Sequence, residues 1–188
     1  METKKNQLME YHQKAQAIKF VNNQIDEFLL GSNCDSYGRF AQFWEIAPEL
    51  KGENYWHGLS VAYQYSDDLY PYKKEVKKAF KSREPNRECL MTTEEQAFLK
   101  NLPPKLVIYR GMTLLEWVSG DFGVSWTLNR SVAEKFAKRK QWHIDNNKKL
   151  IPLRKMVHKI TIDKSELIAY FKEREESEII YLPKKHLN

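Results

Sequence analysis

The hydrophobic pattern of this chain changes period at Pro103-Pro104. Before that pair apolar residues recur at steps of three and four; beyond it they alternate or form short continuous runs. Two adjacent prolines end a helix, because each lacks an N–H and restricts the residue before it. The order implies an α+β chain: a helical section over residues 1–102, then a sheet region over 103–188. No stretch between them is flexible enough in composition to separate them, so one compact unit is expected, the helices lying against the sheet.

Within the first section, Leu8, Tyr11, Ala15, Ile18, Ile25 and Leu29 mark one face of a long amphipathic helix from Thr3 to Leu30. It is broken at Asn22 and ended by Gly31. Its seam would pack within the molecule or pair with a second copy. Arg39 to Pro48 predicts a short helix burying Phe40, Phe43, Trp44 and Ile46, and Glu53 to Tyr65 another on Trp56, Leu59, Val61 and Tyr63. Lys73 to Arg83 predicts a basic helix with Val76, Ala79 and Phe80 inward. Thr92 and Glu95 have capping-box spacing for a last helix through Leu102.

In the second section, Leu106 to Tyr109 and Val124 to Trp126 read as strands, joined by a loop with Gly111, Gly120 and Gly123. Asn129 can cap a helix through Trp142. The stretch WHIDNNKKLIPLRK reads as a loop, Met156 to Ile162 as a half-exposed strand, and Asp163 to Phe171 as a turn or short helix. Polar residues fall at the ends of these runs. Arg110 offers five fixed donors to a diphosphate, and Gly111 lets a flat ligand approach the backbone. Glu176 and Glu178, two apart before the run Ile179 to Leu182, would share one face of a strand.

An arginine strand, a serine strand opening a helix and a Glu-x-Glu strand, in that order, resemble the ADP-ribosyltransferases of the toxin-like arginine, serine, glutamate class. The matching blocks are IYRGM, GVSWTLNRSVAEKFA and ESEII, within Lys105 to about Pro183. LMTTEEQAFLKNLPPKLVIYRGM is also similar to bacterial and phage proteins with the same blocks. The chain departs from the usual Ser-Thr-Ser at Ser125-Trp126-Thr127. Strand alternation turns Trp126 to the core if Ser125 faces the cleft. The resemblance implies a split, mostly antiparallel sheet with NAD as substrate in a central cleft. Arg110 would bind its diphosphate or nicotinamide ribose, and Gly111 would leave its backbone free for the nicotinamide amide. Ser125 would bond the ribose and hold Glu178, with Thr127 supporting the strand end. Glu178 would bind the ribose 2′-hydroxyl and stabilise the developing cation, and Glu176 would orient or deprotonate the acceptor. Phe171 and Arg174 would lie on the target-contacting segment FKEREES. A structural ion pair between Arg110 and Glu178 is the plain alternative.

Residues 134–159 hold nine basic residues against Glu134 and Asp145, an excess of seven. Lys138, Arg139, Lys148 and Lys149 are therefore candidate target-binding residues, although such runs are also common as solvated faces. The acceptor implied is a macromolecule, a protein first, with an arginine suggested by the two-residue glutamate step, or a nucleic acid. NAD hydrolysis and a non-catalytic NAD- or partner-binding module are the alternatives. No run of about 18 apolar residues occurs, so no membrane association is expected. The first residues are too polar for a signal peptide, which points to the cytoplasm of a bacterium or of an infected cell. Cys34 and Cys89 have no metal-site spacing and read as free thiols. His12, His57, His143, His158 and His186 lack ligand spacing, so no metal is expected.

Overall fold

The computed structural model describes residues 22–139, 142–144, 150–172 and 176–183. The chain divides into two compact units, Met1–Leu90 and Met91–Asn188. Among the described residues no helix is long and apolar enough to cross a membrane.

The first unit contains α1 (Asn22–Leu30), α2 (Arg39–Ile46), α3 (Gly52–Gln64) and α4 (Lys73–Phe80). The earlier part of the helix expected from Thr3 lies outside the described residues. Ile25, Leu29, Phe40, Phe43, Trp56 and Leu59 are fully buried, as their three-and-four spacing predicts. The indole N–H of Trp56 donates to the carbonyls of Glu84 at 3.0 Å and Pro85 at 2.9 Å, so burial leaves no orphan donor there. Trp44 was expected inside and is only half-buried. It stacks on Phe40 and carries the Lys78 ammonium over its ring at 5.5 Å, an arrangement that suits an amphipathic aromatic at an edge.

The second unit begins before α5 (Thr93–Asn101), ahead of the Pro103-Pro104 junction. The reason lies in two contacts. Phe98 stacks on Tyr170 with ring centroids 4.2 Å apart, and the buried Glu95 carboxylate accepts from the backbone N–H groups of Thr92 at 2.9 Å and Lys172 at 2.8 Å. The expected capping box is present, and its glutamate also anchors the sheet.

Then follow β1 (Lys105–Thr113), α6 (Leu114–Ser119), β2 (Ser125–Thr127), α7 (Arg130–Lys138), β3 (Trp142–Ile144), β4 (Leu150–Pro152), β5 (Lys155–Asp163), β6 (Leu167–Phe171) and β7 (Glu178–Tyr181). Five strands make an antiparallel sheet in the order β5-β1-β2-β7-β6, and β3 pairs with β4 separately. Four expectations are corrected. The β1–β2 loop contains α6, capped by Thr113 and ended by Gly120 in the left-handed region at φ 63°. The α7 helix stops at Lys138, not Trp142, and the expected loop after it holds the β3–β4 hairpin. The Asp163 to Phe171 stretch, read as a turn or short helix, does open with a single 3-10 turn, Lys164–Glu166, but then runs into strand β6.

One face of the sheet carries the core: Leu106, Ile108 and Met112 of β1, Trp126 of β2, Ile162 of β5, Tyr170 of β6, and Ile179 and Tyr181 of β7. Trp126 is 2 % exposed and takes the inward position that alternation predicted. On the other face α7 lies over β1, burying Val132 and Ala133. Gly111 permits that approach. A Cβ there would stand 2.2 Å from the Ala133 carbonyl oxygen and 2.7 Å from the Ala137 nitrogen, distances no side chain tolerates.

Candidate functional site

The three sequence blocks fall on three neighbouring strands, β1, β2 and β7. Tyr109 pairs with Thr127, and Thr127 with Glu178. Residues paired across antiparallel strands share a face, so Tyr109, Thr127 and Glu178 project to one side, with Ser125 beside them opposite Ile180. Thr127 is the direct neighbour of Glu178. Ser125 is its diagonal neighbour, at a spacing of about 7–8 Å that a glutamate can bridge.

Thr127 is buried and does more than support a strand end. Its hydroxyl donates to the Glu176 carbonyl at 2.7 Å and accepts from the Asn129 N–H at 3.0 Å, while the Leu128 N–H donates to the Ser177 carbonyl at 3.2 Å. These bonds tie the start of α7 to the residues that lead into β7. Ser177 has φ 46°, a left-handed conformation costly for a residue with a side chain and found where surroundings over-determine the backbone. Strand alternation therefore begins at Glu178. The premise that Glu176 and Glu178 share a strand face does not hold; Glu176 sits before the kink, half-buried.

Arg110 lies on the other side by alternation, with Ile108 and Met112. Its Nε donates to Glu116 Oε1 at 2.9 Å and its Nη1 donates to the Ser125 carbonyl at 2.5 Å. The carboxylate it meets is thus Glu116, not Glu178. The strands that carry Arg110 and Glu178 are not neighbours, since β2 lies between β1 and β7. Glu116 Oε1 accepts a second bond, from the Gly123 N–H at 2.8 Å, and the side chains of Arg110 and Glu116 are only 20 % and 16 % exposed. Glu116 is the residue that sequence reasoning missed. Thr113-x-x-Glu116 has capping-box spacing, and the Thr113 hydroxyl does cap the Glu116 N–H at 3.1 Å, but the carboxylate turns to Arg110.

Of the target-binding candidates, Phe171 is overturned. It ends β6 directly opposite Glu178, on the same face, and is completely buried. Lys138 and Arg139 are exposed at the end of α7, with Arg139 over the Phe136 ring at 4.4 Å. Lys148, Lys149 and Arg174 lie outside the described residues. Nearby, Lys155 donates to the Phe136 carbonyl at 3.4 Å. Burial pushes its ammonium below the usual lysine range, Arg139 adds to that, and Glu116 opposes it. Among the described residues no group of three or more His, Cys, Asp or Glu side chains converges as a metal site. No protein-family model, curated protein or solved structure matches the chain.

Proposed function

We propose that the chain transfers ADP-ribose from NAD to a macromolecular acceptor, a protein first. The observation that supports this is the juxtaposition of the arginine, serine and glutamate blocks on adjacent strands, with Ser125, Thr127 and Glu178 on one face. Two strand spacings, about 9.5 Å, separate β1 from β7, and Arg110 and Glu178 leave opposite faces of the sheet, so one substrate would meet both only at the strand ends. The donor set fits such a substrate. Among the described residues Arg110 uses two of its five N–H donors internally, leaving three for phosphate oxygens.

NAD supplies a ribose whose bond to nicotinamide breaks with the electron pair leaving on the ring, while an acceptor atom bonds to the same carbon. The half-buried Glu178 carboxylate offers negative charge where positive charge develops on the sugar. Ser125, its diagonal neighbour on the adjacent strand, sets its direction, and Thr127 holds the Glu176 carbonyl beside it. Glu176, displaced from the strand by the Ser177 kink, takes the acceptor's proton.

A second reading is a non-catalytic binding module, favoured by the engagement of Arg110 with Glu116 and the Ser125 carbonyl. Incubating the protein with NAD labelled in its adenylate and a cell lysate, then separating protein, RNA and DNA, decides between them. Label in the protein fraction, lost in Glu178→Gln, is the expected result. Label in nucleic acid changes the acceptor, free ADP-ribose alone indicates hydrolysis, and bound but intact NAD supports the module.

A further inference from the structure

We propose that Glu116 is a positioning residue whose carboxylate, together with the backbone of Gly123, seats the Arg110 guanidinium so that the N–H groups left over after its bonds to Glu116 and the Ser125 carbonyl can meet a diphosphate. The inference rests on the reading of the cleft as an NAD site. Three observations support it. Glu116 Oε1 accepts a hydrogen bond from the Nε–H of Arg110 at 2.9 Å, a donor separate from the terminal fork. The same oxygen takes the Gly123 N–H at 2.8 Å, so the carboxylate is fixed from both sides and cannot follow the arginine if it swings. Gly123 then closes the seat: a Cβ there would stand 2.4 Å from Nη2 and 2.9 Å from Cζ of Arg110.

The seat also explains the local sequence. The α6 helix is short, yet Thr113 caps it at the Glu116 N–H and Gly120 ends it in the left-handed region, which returns the chain so that Gly123 faces Glu116. Arg110 bonds the carbonyl of Ser125, so the same guanidinium fixes the start of the serine strand. Orientation of the arginine and placement of β2 are thus one event.

Charge complicates the obvious test. Removing the Glu116 carboxylate lets Arg110 attract a diphosphate more strongly at long range, even as its orientation is lost. The informative quantity is the coupling between positions. Calorimetric NAD affinities would be measured for the full chain and for Arg110→Lys, Glu116→Gln and the double variant, with thermal unfolding to show that each folds. Arg110→Lys should weaken NAD at least tenfold in the native background and less than threefold when Glu116 is Gln, because a lysine loses nothing from an arginine already unseated.

Gly123→Ala is a second variant that changes no charge. Its clash falls on the far end of a flexible side chain, so the protein should fold while the guanidinium is displaced, and NAD should weaken about tenfold. A wild-type chain that does not bind NAD removes the functional reading and this inference with it. If the wild type binds NAD but Arg110→Lys has the same effect in both backgrounds, or if folded Gly123→Ala binds normally, the functional reading survives and the seat is refuted.

Discussion

Replacing Gly111 by alanine separates two explanations for a glycine after the arginine. As a cofactor contact, Gly111 would tolerate the change in stability and lose NAD binding. The structure points to packing: the added Cβ would meet the Ala133 carbonyl oxygen at 2.2 Å, the Ala137 nitrogen at 2.7 Å and the Phe136 Cβ at 2.9 Å. Two of those three atoms belong to the α7 backbone, so no rotamer change relieves them. Ordinary contact needs roughly 3.4 Å, so α7 must retreat from β1 by about 1 Å, loosening the buried Val132 and Ala133. Overpacking of this kind costs about 1–3 kcal/mol, and backbone partners argue for the upper end. For a chain of this length about 3 kcal/mol lowers Tm by roughly 6–12 °C. Thermal unfolding followed by circular dichroism, with NAD binding measured well below the transition, checks it. An unchanged Tm with abolished NAD binding would falsify the packing argument and return Gly111 to the cofactor.

Glu178→Gln should abolish both ADP-ribosyl transfer and NAD cleavage, whereas Glu176→Ala should lower transfer and spare much of the cleavage; equal loss of both in Glu176→Ala would remove its acceptor role. Glu95→Ala should destabilise the second unit by about 2–4 kcal/mol, since it removes the capping box and leaves the Lys172 N–H without its partner, and a urea midpoint equal to wild type would refute this. Reversing Lys135, Lys138 and Arg139, which share one face of the last turn of α7, to glutamate should raise KM for the acceptor and leave NAD hydrolysis nearly unchanged. Raising salt should reproduce that split, because exposed charges are screened beyond about 8–10 Å at 0.1–0.15 M; a parallel fall of both activities in a folded variant would assign these cations to the cofactor.

Local periodicity carried most of the helices and the two strands that frame the site. Val76, Ala79 and Phe80 fall inside because their spacing allows only one buried face, whereas α3 is buried nearly all round. Thr92 with Glu95 and Asn129 before α7 announce helix starts, since capping is a bond between residues two or three apart. Trp126 could be assigned to the core from alternation once Ser125 faces the cleft. Strands β3, β4 and β6 escape the periodicity because short segments owe their conformation to the strand they pair with, beyond the reach of a local pattern: Trp142 to Pro152, Tyr170 to Ile179.

At the site, sequence supplied the residue types and their order, and tertiary structure decided which of them meet. Glu176 left the face of Glu178 because the Ser177 backbone turns left-handed, which no spacing rule reveals. Phe171 went inside because β6 pairs with β7 there, and Gly111 answers to α7, a helix that follows it by nearly twenty positions. Arg110 found Glu116 because the β1–β2 connection folds back through α6, whose length and left-handed end bring Gly123 against it. A carboxylate six residues away in sequence becomes a partner only when the chain between them is closed into a turn, and that closure is a property of the packed sheet.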